Sequence, residues 1–438
     1  MNSSVRAIAE SCKRASRVLA SSTSEQRVAV IRAAAQLIDQ NQSSVLTTNA
    51  QDLDDARHML ESGEITAATF ERLRLTDTKI AEMTRSMLAV AELPDPTGRV
   101  LQRTELDANL VLEKITCPLG VLAIIFEARP DAVTQISALG LKSANAVILK
   151  AGREVERTAR ALVEIIRQAL MNCEIPKDAV AMVTGRESVQ QLLGMSDIVD
   201  MAIPRGSKQL VEFVQANTRI PVLGHAEGVC HIYVDSAADT DMALAIIDDS
   251  KTDYPAACNA VETVLVHQQI AGSFLPRLAE HLHSRQVLLR GCEKSRAILA
   301  GHTIEAVADG EWHTEYSDLV LAVRVVNSMD DAIEHIHAHG SSHTETIVTQ
   351  NTIAAERFLA EVDAAGVFHN ASTRFADGYR YGFGAEVGIS TSKLHARGPV
   401  GLEGLTTYKY VLRGSGQLAR SYQGPDATAF THKKLPVD

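Results

Sequence analysis

Apolar positions change their period along the chain, and each change marks a different architecture. Up to residue 94 they recur at helical spacing. Val5, Ile8, Ala9 and Cys12 share one face of a first helix. Ser24 with Glu25 and Gln26 opens a helix running through Val28, Ile31 and Leu37, and further helices are expected from near Asn49 and near Thr66. Pro94 and Pro96 close this section. Over 98–116 the period drops to two. Val100–Leu106 and Val111–Thr116 alternate around Asp107-Ala108-Asn109, a hairpin whose edges need a partner elsewhere in the chain or on another subunit.

From Pro118 the apolar residues run continuously. Val121–Phe126 reads as a strand buried on both faces, and Ala146–Leu149, Val180–Val183 and Ile198–Ile203 as the strands after it, followed by Pro221–Leu223 and His231–Val234. Helices are expected over Asp131–Ser143, Glu154–Met171 and Gly206–Val214. The alternation predicts an α/β fold with a doubly wound parallel sheet, whose ligands bind at the carboxyl ends of the strands. After Asp239 a second α/β unit begins, with a helix over Met242–Asp249 and a strand over Val261–Val266, and the alternation continues through Thr349. Residues 366–412 are rich in glycine and polar residues, as in loops that line a site. Ser415–Asp438 shows little pattern and is expected to be loosely held.

Composition narrows the class. The chain has 438 residues, 45% apolar and 22% charged, as in a globular protein of two or three domains. A net charge of −11 argues against nucleic-acid or anionic-membrane partners, and no apolar run reaches membrane-spanning length. Cys12, Cys117, Cys173, Cys230, Cys258 and Cys292 are scattered with no CxxC pair, which fits a reducing compartment and signals no zinc site. Cytoplasm is the expected location. The basic, serine-containing N-terminal stretch reads as an ordinary first helix rather than a transit peptide.

The richest candidate for chemistry is Asp253–Thr263. Cys258 stands among small residues just before an apolar run, where a thiolate can meet an acyl carbon and backbone N–H groups can face an oxyanion. A buried core cysteine is the alternative. At strand ends, Lys150 is placed to reach a ribose, and Gly206-Ser207 to offer N–H groups to a pyrophosphate at a helix start. Gly152 and Gly185, in turns after strands, complete the expected cofactor set. No G-x-G-x-x-G follows a strand. His335, His337, His339 and His343 cluster, but without a carboxylate in H-E-x-x-H order they are expected to be packing or surface residues.

The segments Ile125–Pro130, Ile203–Ser207, Gly224–His231, Tyr254–Thr263, His337–Thr344, Gly384–Ser390 and His395–Leu405 carry a resemblance over nearly the whole chain. It resembles the gamma-glutamyl phosphate reductases of the aldehyde dehydrogenase superfamily, and is similar to the reductase half of the bifunctional pyrroline-5-carboxylate synthases. The resemblance implies NADPH-dependent reduction of L-glutamyl 5-phosphate through a thioester on Cys258, the second step of proline biosynthesis from glutamate. It implies cofactor contacts from Lys150, Gly206-Ser207 and Glu315, and a backbone oxyanion site at Cys258 and Asn259. It implies a cofactor-binding domain (1–97 and 117–238), a catalytic domain (239–396), a small β oligomerisation element (98–116 and 397–420) and a tail (421–438). The substrate carries a carboxylate and a phosphate, so Arg129, Arg374 and Arg397 are candidates to hold it, with Asn370 and Ser372 by analogy with a superfamily loop.

Two departures stand out. Val222 occupies the place of the glutamate that activates water in hydrolytic members, which suits a thioester that is reduced rather than hydrolysed. Phe126–Arg129 replaces the Pro-Trp stretch that leads to an oxyanion asparagine. A homo-oligomer (dimer or tetramer) and an association with a glutamate kinase are expected. A hydrolytic NAD(P)-dependent aldehyde dehydrogenase and a silent subunit of that kinase are the alternatives.

Overall fold

The computed structural model describes residues 4–225, 227–308 and 310–437. Residues 1–3, Asp309 and Asp438 lie outside the described residues, as does Ala226 of the Gly224–His231 segment. The chain forms two compact units, one of 1–223, 383–388 and 400–438, the other of 224–382 and 389–399.

The first unit opens with helices Val5–Ala20, Ser24–Gln40, Gln42–Glu61, Ala67–Leu73 and Asp77–Glu92. Thr23 rather than Ser24 caps the second, closing a capping box with Gln26. Thr66 caps the fourth, as its hydroxyl suggests. Asn49 starts no helix. It is buried inside the third, where its amide serves the carbonyl of Leu73 and the N–H of Leu75, a tertiary role that propensity does not reveal.

The parallel sheet runs 180–182, 146–151, 121–126, 201–205 in spatial order. Val121–Phe126 is buried throughout, which explains its unbroken apolar run. The fourth strand begins at Met201 rather than Ile198, because the N–H groups of Ile198 and Val199 close a turn on the Met195 carbonyl. Pro221–Leu223 makes only a single bridge, Val222 to Ala202.

The hairpin at 98–116 turns at Asn109, whose φ of 59° suits asparagine. Both its edges find partners in the same unit, in the order 406–413, 110–118, 100–107, 433–435. The tail is therefore better held than its composition suggests. Arg103 pairs with Leu435, and the Tyr422 hydroxyl reaches Asp107 at 2.8 Å.

The second unit holds a seven-stranded parallel sheet, in spatial order 305–306, 288–291, 320–326, 261–267, 230–234, 344–348, 366–369. The strand at 230–234 thus belongs here, between two neighbours of its own unit, and not to the first sheet. Helices Thr240–Thr252 and Gln268–Ser284 cover one face with Ile247, Phe274, Leu278 and Leu282, and Phe358 stacks on Tyr233 within a second cluster. Among the described residues no helix is long and apolar enough to cross a membrane.

Candidate active site

Three loops of the second unit converge because each enters a neighbouring strand of the sheet. Gly228 precedes the strand at 230–234, Cys258 the one at 261–267 and His343 the one at 344–348. Parallel strands side by side bring their entry loops together. The chemistry of this unit gathers at the amino ends of its strands, opposite to the general expectation for such sheets.

Cys258 sits in a tight turn held by Ala257 N–H to Tyr254 O (3.1 Å) and Ala260 N–H to Ala257 O (2.8 Å). Gly228 presses on it so closely that a Cβ there would lie 1.9 Å from the Cys258 carbonyl oxygen. That carbonyl also accepts from the Cys230 thiol at 3.4 Å. Cys230 is fully buried, and its thiol is pushed well above the usual range by burial. Cys258 itself is half-buried.

The sulfur has two imidazole neighbours. One ring nitrogen each of His225 and His343, and Sγ of Cys258, all lie within 4.8 Å of one another. The His225 Nδ1–H donates to the Ile389 carbonyl at 2.9 Å, which orients the ring. His343 Nδ1 meets the Thr344 hydroxyl at 2.8 Å, and the two rings stand edge to face with centroids 5.0 Å apart. The sequence pattern reads His343 as a packing or surface residue and marks no role for His225. The usable signal was position, since His343 and Cys258 both stand just before an apolar strand.

Asn259 has its side chain fully engaged. Its amide donates to the carbonyls of Ala376 (3.0 Å) and Arg374 (3.4 Å), and its oxygen accepts from the Arg374 guanidinium. Arg374 also donates to Asp253 at 3.2 Å, so it joins the two ends of the nucleophile turn to the 372–376 loop. The hydrogen bonds from Arg380 and Arg374 hold the Asp253 carboxyl below the usual range. Ser372 is buried, with its hydroxyl 2.9 Å from that of Ser250, and the Asn370 amide spans the backbone of Thr349. Arg397 pairs with Asp363 at 2.9 Å. Within this unit the structure brings Cys258, Asn259 and Arg374 together, while Asn370, Ser372 and Arg397 each hold a local partner.

Glu315 is tied to the same loops. Its carboxylate accepts from Gly228 N–H at 2.9 Å, and burial pushes its carboxyl up. In the first unit, Lys150 closes the strand at 146–151, and Gly152 follows with its N–H on the Phe126 carbonyl at 2.8 Å. Gly185 has a φ of +84°, a conformation suited to glycine. Ser207 caps the helix Lys208–Ala216, and its N–H donates to the Glu127 carboxylate at 3.0 Å. That helix start therefore already binds an anion, and a Cβ on Gly206 would meet the same carboxylate at 2.4 Å. Arg129 is exposed in this unit.

His231, His313, His335 and His339 pack among themselves. His335 lies edge-on to Trp312 and His231 and accepts from the Arg324 guanidinium at 2.5 Å through Nδ1. Burial lowers its pKa to about 2.

An α/β fold with a cysteine in a strand-entry turn defines a class, and the comparisons agree with it. The aldehyde dehydrogenase family model matches residues 2–289. A gamma-glutamyl phosphate reductase of Natronomonas pharaonis is 48% identical over 435 residues, covering 99% of each chain. One from a Cyanothece strain is 51% identical over 428 residues, 98% of this chain and 97% of its own. The crystal structure of the Thermotoga maritima gamma-glutamyl phosphate reductase superposes with a TM-score of 0.92 at 38% identity, covering 95% of this chain and 100% of that one. The chain belongs to the aldehyde dehydrogenase family and, within it, to the gamma-glutamyl phosphate reductases. It is an oxidoreductase of the glutamate-5-semialdehyde dehydrogenase type, serving the glutamate-to-semialdehyde step of proline biosynthesis with a nicotinamide cofactor.

Proposed function

We propose that Cys258 attacks the acyl phosphate of L-glutamyl 5-phosphate, expels phosphate and holds the glutamyl group as a thioester, which is reduced to L-glutamate 5-semialdehyde. The observation that carries this is the half-buried Cys258 thiol set between the imidazoles of His225 and His343. These rings give the thiol proton an acceptor, and a thiolate is the competent nucleophile. The turn's own backbone N–H groups, at Cys258 and Asn259, are the donors we assign to the oxyanion. With its side chain engaged by Arg374, Asn259 serves through its backbone.

NADPH supplies the hydride when bound. The first unit fits such a cofactor. The Ser207 N–H already donates to a carboxylate, so an anionic pyrophosphate suits the same helix start, with Gly206, Gly152 and Gly185 keeping side chains away and Lys150 at the ribose. Glu315, fixed on Gly228, is assigned to the nicotinamide ribose. We assign Arg129, Arg374 and Arg397 to the anionic substrate, Arg374 mainly by holding the nucleophile turn, with Asn370 and Ser372 shaping the loop beside it. The strand Thr406–Arg413 ends its sheet with Tyr408, Tyr410 and Leu412 exposed, which supports a homo-oligomer through that edge. A cytoplasmic location and an association with a glutamate kinase go with this role.

The test runs the reaction backwards, because the acyl phosphate is labile. NADP reduction by pyrroline-5-carboxylate is followed with and without inorganic phosphate, for wild type and Cys258→Ala. Phosphate-dependent reduction that disappears in the variant supports the proposal. Reduction indifferent to phosphate would indicate a hydrolytic dehydrogenase and overturn it, as would an active Cys258→Ala.

A further inference from the structure

We propose that His225, Cys258 and His343 together form a site for a soft divalent cation, Zn2+ above all, which reversibly closes the cysteine. Three donors whose ligand atoms already lie within 4.8 Å of one another come from three separate loops. Two nitrogens and one sulfur form the donor set that zinc prefers, and one with no oxygen suits neither Mg2+ nor Ca2+. Three protein ligands also leave a fourth position for water, as in open zinc sites.

The surroundings of both rings support the assignment. Zinc-binding histidines are oriented by an acceptor on the ring nitrogen away from the metal. His225 Nδ1 donates to the Ile389 carbonyl, and His343 Nδ1 faces the Thr344 hydroxyl, so both rings are fixed from the Nδ1 side. His343 is 1% exposed, and its Nε2 is buried without a hydrogen-bond partner. A buried ring nitrogen left unpaired is costly, and a metal bond would satisfy it. A tetrahedral zinc needs its ligand atoms about 3.5 Å apart. Rotation of the half-buried Cys258 side chain would supply that contraction.

On binding, the Cys258 thiol gives its proton to water, a sulfur–metal bond forms and nothing is oxidised or reduced. Binding does not depend on Cys258 being the nucleophile. The consequence for turnover does, and rests on the reading above. Zn2+ would stop the reaction and shield the thiol from alkylation, and a chelator would reverse both.

The full-length protein, in buffer free of thiols and phosphate, is titrated with Co2+ and then Zn2+. The wild type should take up one equivalent of Co2+, with a thiolate-to-cobalt charge-transfer band that Zn2+ displaces. Cys258→Ala should abolish the band, and His343→Ala should weaken binding by at least about tenfold. If His343→Ala does not fold, His225→Ala carries the same expectation. Cys230→Ser should keep the band. No band in the wild type, a band that survives Cys258→Ala or is lost in Cys230→Ser, or full affinity in the histidine variants would overturn the proposal. NADP reduction measured with EDTA tests the catalytic reading separately, since the cobalt spectrum does not require turnover.

Discussion

Lys251 Nζ and Glu262 Oε2 meet 2.7 Å apart, and neither side chain reaches solvent. Lys251 ends the helix Thr240–Thr252, and Glu262 lies in the strand Val261–His267. The pair therefore clasps the two ends of the turn that carries Cys258. Burial pushes the Lys251 ammonium down and the Glu262 carboxyl up, so loss of water outweighs the mutual attraction. Such a pair adds little net stability but is costly to break from one side. Lys251→Met should cost about 3–5 kcal/mol in urea unfolding. Lys251→Met with Glu262→Leu should recover to within about 1 kcal/mol of wild type. A double variant no more stable than the single would show that the pair stabilises the fold in its own right.

Gly228 carries a second prediction. A Cβ at this position would meet the oxygen, carbon and Cα of Cys258 at 1.9, 2.6 and 2.7 Å. These are backbone atoms, so no rotamer change relieves the clash, and the nucleophile turn must move. Its N–H also holds Glu315 at 2.9 Å, so the shift reaches that carboxylate. A misplacement of about 1 Å costs on the order of a hundredfold in rate. Gly228→Ala should lower kcat by roughly that factor in the NADP reduction assay. Wild-type kcat in this variant would mean that Cys258 does not depend on this contact.

His335 predicts a response to acid. Its imidazole stays neutral in the folded protein because burial, with His231 and Arg324 nearby, lowers its pKa to about 2. Once unfolded it takes up a proton below about pH 6.5. The unfolded chain then binds the extra proton, so the contribution of this residue is complete above pH 6.5 and falls away as the pH drops towards 2. The loss approaches about 1.4 kcal/mol per pH unit. His335→Gln can still accept from Arg324 but does not titrate. Its urea midpoint should fall less steeply than that of wild type between pH 6.5 and 5. Parallel profiles would show that His335 is protonated in the fold.

What the sequence made legible follows from the range of the forces involved. Val121–Phe126 could be read because both its faces are buried, and Thr66 because its cap is local. The Cys258 turn stood out because small residues precede an apolar strand. His225 and His343 did not, since what unites them with Cys258 is the order of strands 261–267, 230–234 and 344–348, a fact of topology. Asn49 and the tail misled for the same reason. A buried amide serving Leu73 and Leu75, and a strand at Lys433–Leu435 paired with Arg103–Glu105, are written in contacts far apart along the chain.

Glu127 yields the last prediction. Its carboxylate accepts from the Ser207 N–H at 3.0 Å, at the start of the helix Lys208–Ala216, where the proposed pyrophosphate would lie. Two anions cannot share one N–H donor at full strength, so the internal carboxylate competes with the cofactor for the helix start. Removing it leaves the N–H and the helix dipole in place. Glu127→Ala should therefore tighten NADP binding by roughly threefold to tenfold, since a hydrogen bond to a charged group is worth about 1.5 kcal/mol or more and water replaces part of it. Fluorescence titration of NADPH against both proteins measures this directly, without turnover. Tighter binding in the variant would identify Glu127 as a stand-in for the cofactor's phosphates. Weaker binding would show instead that its carboxylate touches the cofactor, and the pyrophosphate would then have to be assigned away from Ser207.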